Sequence, residues 1–168
     1  MEQIAPVYAV IVLMVYTWSL LLFFWRLPSL LQSSTVGEMG VFFSYMAVVD
    51  LLESLLVLMV PVALSVMLPA QWFYDQFVVK GSSMVLLCLG SLMFYYDNLP
   101  GAILSPGELL LKLLGAALAF LIFIFLIARI GFLERFVREF SNRAVIFLYF
   151  WIPVSVISLL VVVVRNIF

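Results

Sequence analysis

Histidine is absent from this 168-residue chain, and cysteine occurs once, at position 88. Without histidine, the chain has no His-ligated haem or zinc, no Ser-His-Asp triad and no histidine proton relay. A single cysteine excludes an internal disulfide and a cysteine-built cluster. Charged residues make up only 10% of the chain, against about 25% in soluble domains. These absences exclude most metal-dependent and nucleophilic enzymes, and they are not typical of a water-soluble domain.

Hydrophobic residues, by contrast, make up 67% of the chain and are arranged in long runs separated by short polar segments. A transmembrane helix needs ~20 apolar residues. We therefore predict an all-α fold, an integral membrane bundle of about five transmembrane helices in a single domain, 1–168. We predict a loop over 27–40, which is rich in Ser, Gln and Gly. The predicted spans cover residues 6–25, 49–68, 77–96, 109–132 and 144–164.

The second apolar run, 41–68, is longer than one span requires. As a continuous helix it measures about 42 Å, whereas the hydrocarbon core of a bilayer is ~30 Å thick. Either this helix tilts strongly, or residues 41–49 lie along the interface and the span itself is 49–68. We favour the second arrangement, which places Asp50 and Glu53 one turn inside a membrane edge.

Asp50, Glu53 and Lys112 form a candidate charge cluster inside the membrane. Each charged group in hydrocarbon costs about 2.5–3.5 kcal/mol, so such groups usually have a partner or a task. Asp50 and Glu53 are spaced to share one side of a helix, and Lys112 lies at a similar depth in the predicted fourth span. We predict that Lys112 neutralises one or both carboxylates. The alternative is that the two carboxylates carry protons or ions.

Small residues indicate where helices approach one another closely. Gly115 and Ala119 make a small-xxx-small pair in the fourth span. Small patches in the third span are formed by Gly81, Ser82, Ser83, Gly90 and Ser91. We predict that neighbouring helices approach closely at these positions.

An amphipathic segment, 133–143, is predicted to prolong the fourth span as an interfacial connector. Its basic residues are candidates for contact with anionic headgroups or an acidic partner, although two glutamates dilute the positive charge and favour a simple solvated face. With the preceding arginine, these candidates are Arg129, Arg135, Arg138 and Arg143.

The distribution of basic residues predicts the orientation in the membrane. Five spans place the N-terminus, Lys80 and the arginines around the connector on one side, and Arg26, Lys112 and Arg165 on the other. The denser side is typically cytoplasmic. We therefore predict a multi-pass protein of the plasma membrane with a cytoplasmic N-terminus and an external C-terminus.

No sequence pattern indicates an enzyme, a cofactor or a metal site, because phosphate-binding loops and nucleophile–base pairs are missing. The net charge of −1 argues against nucleic acid as a partner. Short loops and small-residue faces favour a non-catalytic subunit or accessory factor, which would contact the lipid bilayer and another membrane protein or a second copy of itself. The alternative is translocation of a proton, a cation or a small solute through Asp50 and Glu53.

Overall fold

The computed structural model describes residues 3–67, 76–98, 115, 122–123, 126 and 130–167. Four helices lie within these ranges: α1 (Ile4–Ser33), α2 (Val36–Met67), α3 (Phe77–Asn98) and α4 (Gly131–Ile167). In this part of the chain, α1, α2 and α4 are long and apolar enough to cross a membrane, and α3 contains a shorter apolar stretch, Phe77–Met93. The predicted helical bundle is confirmed. The predicted number of about five spans is not matched, and most of the predicted span 109–132 lies outside the described residues.

The prediction of a loop over 27–40 is wrong, because helices cover nearly all of it. α1 continues through Pro28 to Ser33, and only two residues separate it from α2. The start of α2 is fixed by a capping box: the Glu38 carboxylate accepts hydrogen bonds from the backbone N–H of Thr35 at 2.8 Å and from its hydroxyl at 3.0 Å. The Glu38 N–H in turn lies 3.4 Å from the Thr35 hydroxyl. This local motif outweighs the loop-like composition.

Two further predicted boundaries differ in the structure. α2 is one uninterrupted helix from Val36 to Met67, including Pro61. The amphipathic segment 133–143 belongs to α4, so it is continuous with the predicted fifth span, 144–164.

The N-terminal half of α1 forms the centre of the described bundle. α1 contacts α2, α3 and α4, and the side chains of Val7, Ala9, Val10 and Ile11 are all 0% exposed. A helix that is apolar on every side is typical of a position surrounded by other helices. α1 therefore provides the core against which the other three helices pack.

Contacts between side chains give the direction of each helix. Gln3 just before α1, Phe77 of α3 and Arg138 in the second turn of α4 line one small pocket, so the N-terminal parts of these three helices meet at one end of the bundle. We call this end the N-terminal end. Farther along α1, Phe23 contacts Phe42 near the start of α2. Helices α1, α3 and α4 therefore run in the same direction, and α2 runs antiparallel to them.

Small residues occupy the faces where the helices meet. A side chain added at Gly81 of α3 would place its Cβ 3.3 Å from a methyl group of Val7, and the Ser82 hydroxyl lies 2.8 Å from that of Ser141 in α4. The predicted close approach is thus confirmed at 81–83. It is wrong at Gly90, where an added Cβ would meet nothing within 4 Å, and at Ser91, which is exposed. The buried residues of α4 recur at alternating spacings of three and four, the pattern of coiled-coil packing: Val137, Ser141, Ala144, Leu148, Trp151, Ser155 and Ser158.

Candidate functional site

Asp50 lies in the interface between α2 and α1. It belongs to a stripe of buried α2 residues that includes Ser44, Ala47 and Ser54, and its residue exposure is 2%. The Ser19 hydroxyl of α1 donates a hydrogen bond to Oδ1 of Asp50 at 2.6 Å. The other carboxyl oxygen, Oδ2, is buried and has no hydrogen-bond partner. Oδ1 of this carboxyl group therefore has a hydrogen-bond partner, and Oδ2 has none.

Tyr16 lies close to Asp50 and joins three helices. Its ring packs against Trp151 with a centroid distance of 4.6 Å. The Ser155 hydroxyl donates to the Trp151 carbonyl at 2.8 Å, so the Tyr16 hydroxyl is the donor in its 2.6 Å bond to Ser155. The Ala47 carbonyl of α2 lies 3.3 Å from the same hydroxyl. Tyr16 thus fixes α1 against both α2 and α4.

A second tyrosine extends this polar region toward the N-terminal end. The Tyr8 hydroxyl lies 3.3 Å from the Ser54 hydroxyl, and Ser54 is one turn of α2 from Asp50. We call Tyr8, Tyr16, Ser19, Ser54 and Ser155 the core hydroxyl groups. Ser19 contacts Asp50 directly, and the other four form the pairs Tyr8–Ser54 and Tyr16–Ser155.

The core hydroxyl groups on α1 were not identified from the sequence. The signal was available, since Tyr8, Tyr16 and Ser19 are spaced by eight and three residues and so share one face of an otherwise apolar helix. Their partners on α2 and α4 were not predictable, because they lie far away along the chain.

Glu53 has different surroundings from Asp50. The two residues are separated by about 60° around the helix, and this rotation brings Glu53 out of the interface to an exposed position. Its neighbours on this side of α2 are exposed apolar residues. We call the set the α2 outer face: Val49, Leu52, Glu53, Leu56, Met59 and Val60.

The contacts of α2 place both carboxylates near the middle of the bundle. On one side of them Phe42 packs against Phe23, one turn before Arg26. On the other side Pro61 lies 3.8 Å from the Cβ position of Gly81. Asp50 is about 12 Å along the helix from Phe42 and about 16 Å from Pro61. This register gives the position of the carboxylates within the bundle, and their predicted depth one turn inside a membrane edge stays a prediction.

Several predicted site residues lie outside the described part of the chain. Lys112, Ala119 and Arg129 are among them, so the pairing of Lys112 with the carboxylates stays a prediction. Gly115 is described as helical and exposed, and a Cβ there would meet nothing within 4 Å.

The predicted basic contacts on the connector are exposed at the first turns of α4. Arg138 forms a 2.6 Å ion pair with Glu134 one turn earlier, with the Arg138 side chain 54% exposed. Arg135 and Arg143 are exposed as well. Exposed pairs of this type contribute about 0.3–0.5 kcal/mol. The three arginines therefore remain accessible to a binding partner near the N-terminal end.

Within the described ranges, no group of three or more His, Cys, Asp or Glu residues is placed to hold a metal ion. Comparison of the chain with protein-family models, with curated proteins and with solved structures finds no match.

Proposed function

We propose that this chain is a multi-pass membrane protein that acts as a non-catalytic subunit or accessory factor and binds a partner membrane protein through the α2 outer face. The supporting observation is Glu53, an exposed carboxylate near mid-height on a face that is otherwise apolar. Lipid tails solvate the apolar neighbours well, but they offer nothing to a carboxylate, which costs about 2.5–3.5 kcal/mol in that environment. A partner that supplies a donor to Glu53 removes this cost.

The residues of the α2 outer face indicate what kind of partner it can bind. It is a transmembrane helix with an apolar surface that carries a lysine, an arginine or an uncharged hydrogen-bond donor near its middle. Interhelical hydrogen bonds in membranes contribute about 0.6–1.7 kcal/mol. A contribution of one or two kcal/mol changes an equilibrium by about 5–30-fold. Glu53 is thus suited to selecting the partner and its register, while apolar packing supplies the remaining affinity.

The proposed placement is the plasma membrane, with the N-terminal end in the cytoplasm. Lys80 and the arginines at the start of α4 lie toward this end, whereas Arg26 and Arg165 lie toward the other. Such an excess of basic residues is typical of the cytoplasmic side. Since α3 and α4 run in the same direction, an odd number of crossings separates them, and the predicted span 109–132 supplies one.

Purification of a charge variant tests this function. Glu53→Leu keeps the face apolar and removes its hydrogen-bonding group. The matched control is Glu139→Leu, which removes an exposed carboxylate from α4 near the N-terminal end. Native mass spectrometry after extraction in a mild detergent should show a stoichiometric partner with the unmodified chain and with Glu139→Leu, and loss of that partner with Glu53→Leu.

Once the partner is identified, exchanging the charges of Glu53 and of the partner's basic residue tests their contact. Glu53→Arg should abolish the complex, and replacing the partner's basic residue by glutamate should restore it. A chain that purifies alone, or that retains the same partner after Glu53→Leu, contradicts the proposal.

Translocation is the second candidate, and the surroundings of Asp50 favour a proton over other substrates. The buried Oδ2 of Asp50 has no hydrogen-bond partner, and a bound proton would neutralise this carboxyl group. Proton flux into proteoliposomes should disappear in Asp50→Asn and persist in Glu53→Gln. No flux from the unmodified chain would eliminate this candidate.

A further inference from the structure

The unsatisfied oxygen of Asp50 needs an explanation. Buried polar atoms in folded proteins almost always have a hydrogen-bond partner, and an unpaired one costs about 1–3 kcal/mol. Oδ2 is buried without a donor although Oδ1 accepts a hydrogen bond from Ser19. An ionised carboxylate would leave negative charge on an atom that nothing contacts favourably. A proton bound to Oδ2 makes the group neutral and leaves the bond from Ser19 in place.

Among the described residues, the groups placed against Asp50 are hydroxyls and a second acid. α1 contributes the Ser19 hydroxyl, and Tyr16 lies one turn earlier on the same helix. Glu53 on α2 is the second acid. α4 presents the Ser155 hydroxyl next to Tyr16.

We propose that Asp50 is a proton-binding site. A proton taken from water forms one O–H bond at Oδ2 of Asp50, and its release to water returns the ionised carboxylate. The hydrogen bond from Ser19 to Oδ1 is available to the carboxyl group in both states. This inference deepens the second candidate function, but it holds without transport, because binding and release are measurable at equilibrium.

Infrared difference spectroscopy of the reconstituted chain detects the protonated carboxyl directly. A carboxylic-acid C=O band should disappear as the pH rises, and it should be missing from Asp50→Asn at every pH. Glu53→Gln should keep this band. The chain has three aspartates, at positions 50, 75 and 97. An Asp75→Asn/Asp97→Asn variant grown with 13C-labelled aspartate therefore assigns the band to Asp50 even if Asp50→Asn does not fold.

Two outcomes overturn the proposal. A labelled Asp50 that shows only carboxylate bands at every pH is not a proton-binding site. A carboxylic-acid band that keeps its full intensity in Asp50→Asn belongs to another group. Proteoliposomes without proton flux would remove transport as a function and leave the binding site intact.

Discussion

Tyr16 makes two contributions to stability that different substitutions separate. Its hydroxyl donates to Ser155 at 2.6 Å and lies 3.3 Å from the Ala47 carbonyl, while its ring, 2% exposed, packs on Trp151. Tyr16→Phe removes the hydroxyl alone, so we expect the free energy of unfolding to fall by about 0.6–1.7 kcal/mol, the range for interhelical hydrogen bonds in membranes. Tyr16→Ala also removes the ring, and large-to-small aromatic changes in cores cost about 3–5 kcal/mol.

A double-mutant cycle checks the assignment of the smaller contribution. In Tyr16→Phe, the Ser155 hydroxyl keeps its bond to the Trp151 carbonyl, so Ser155→Ala added to Tyr16→Phe should cost less than Ser155→Ala alone. The expected coupling is about 0.6 kcal/mol, measured by reversible unfolding in mixed micelles. The control, Tyr149→Phe, removes a hydroxyl from an outward-facing ring that is 79% exposed and should leave the free energy of unfolding unchanged. Equal losses in Tyr16→Phe and Tyr16→Ala, or zero coupling, would refute the reasoning.

Two further predictions concern packing and orientation. Gly81→Leu should destabilise the bundle by about 1–3 kcal/mol or more, because its Cβ already lies 3.3 Å from Val7, whereas Gly90→Leu meets open space and should be tolerated; thermal unfolding of both variants checks this. In a chain whose native cysteine has been replaced, a cysteine at Asn98 should react with a membrane-impermeant reagent from outside intact cells, and one at Asn142 should not. Labelling of Asn142 from outside would reverse the proposed orientation.

The length of the apolar runs was sufficient to predict a bundle of membrane helices. The positions at which α1 ends and α2 begins depend on local hydrogen bonds. The segment 27–40 has the composition of a loop and contains Pro28, yet α1 continues to Ser33. Proline removes a backbone donor from a helix and crowds the carbonyl four residues earlier, yet α1 accommodates Pro28 without ending. The capping box of Thr35 and Glu38 was readable as a helix start, and it would have placed the beginning of α2 correctly.

The candidate site was predictable in part. Asp50 and Glu53 stand out from any apolar run, and helical spacing brings them to neighbouring positions. Spacing alone does not say which carboxylate faces inward, because both lie within one broad sector of α2. The burial of Asp50 depends on Ser19, whose contact with α2 follows from the register of two long helices. That register is set by tertiary contacts such as Phe23 with Phe42, and no local pattern encodes it.

Site-specific photo-crosslinking in native membranes tests the proposed docking of the α2 outer face most directly. Leu56 is 65% exposed and lies one turn from Glu53, so a photoreactive amino acid there should give one protein adduct of defined mass. Val156 on α4, which is 50% exposed, provides the control and should react with lipid. If Leu56 crosslinks only to lipid or to this chain itself, the α2 outer face does not bind a partner protein, and the proposed function is wrong.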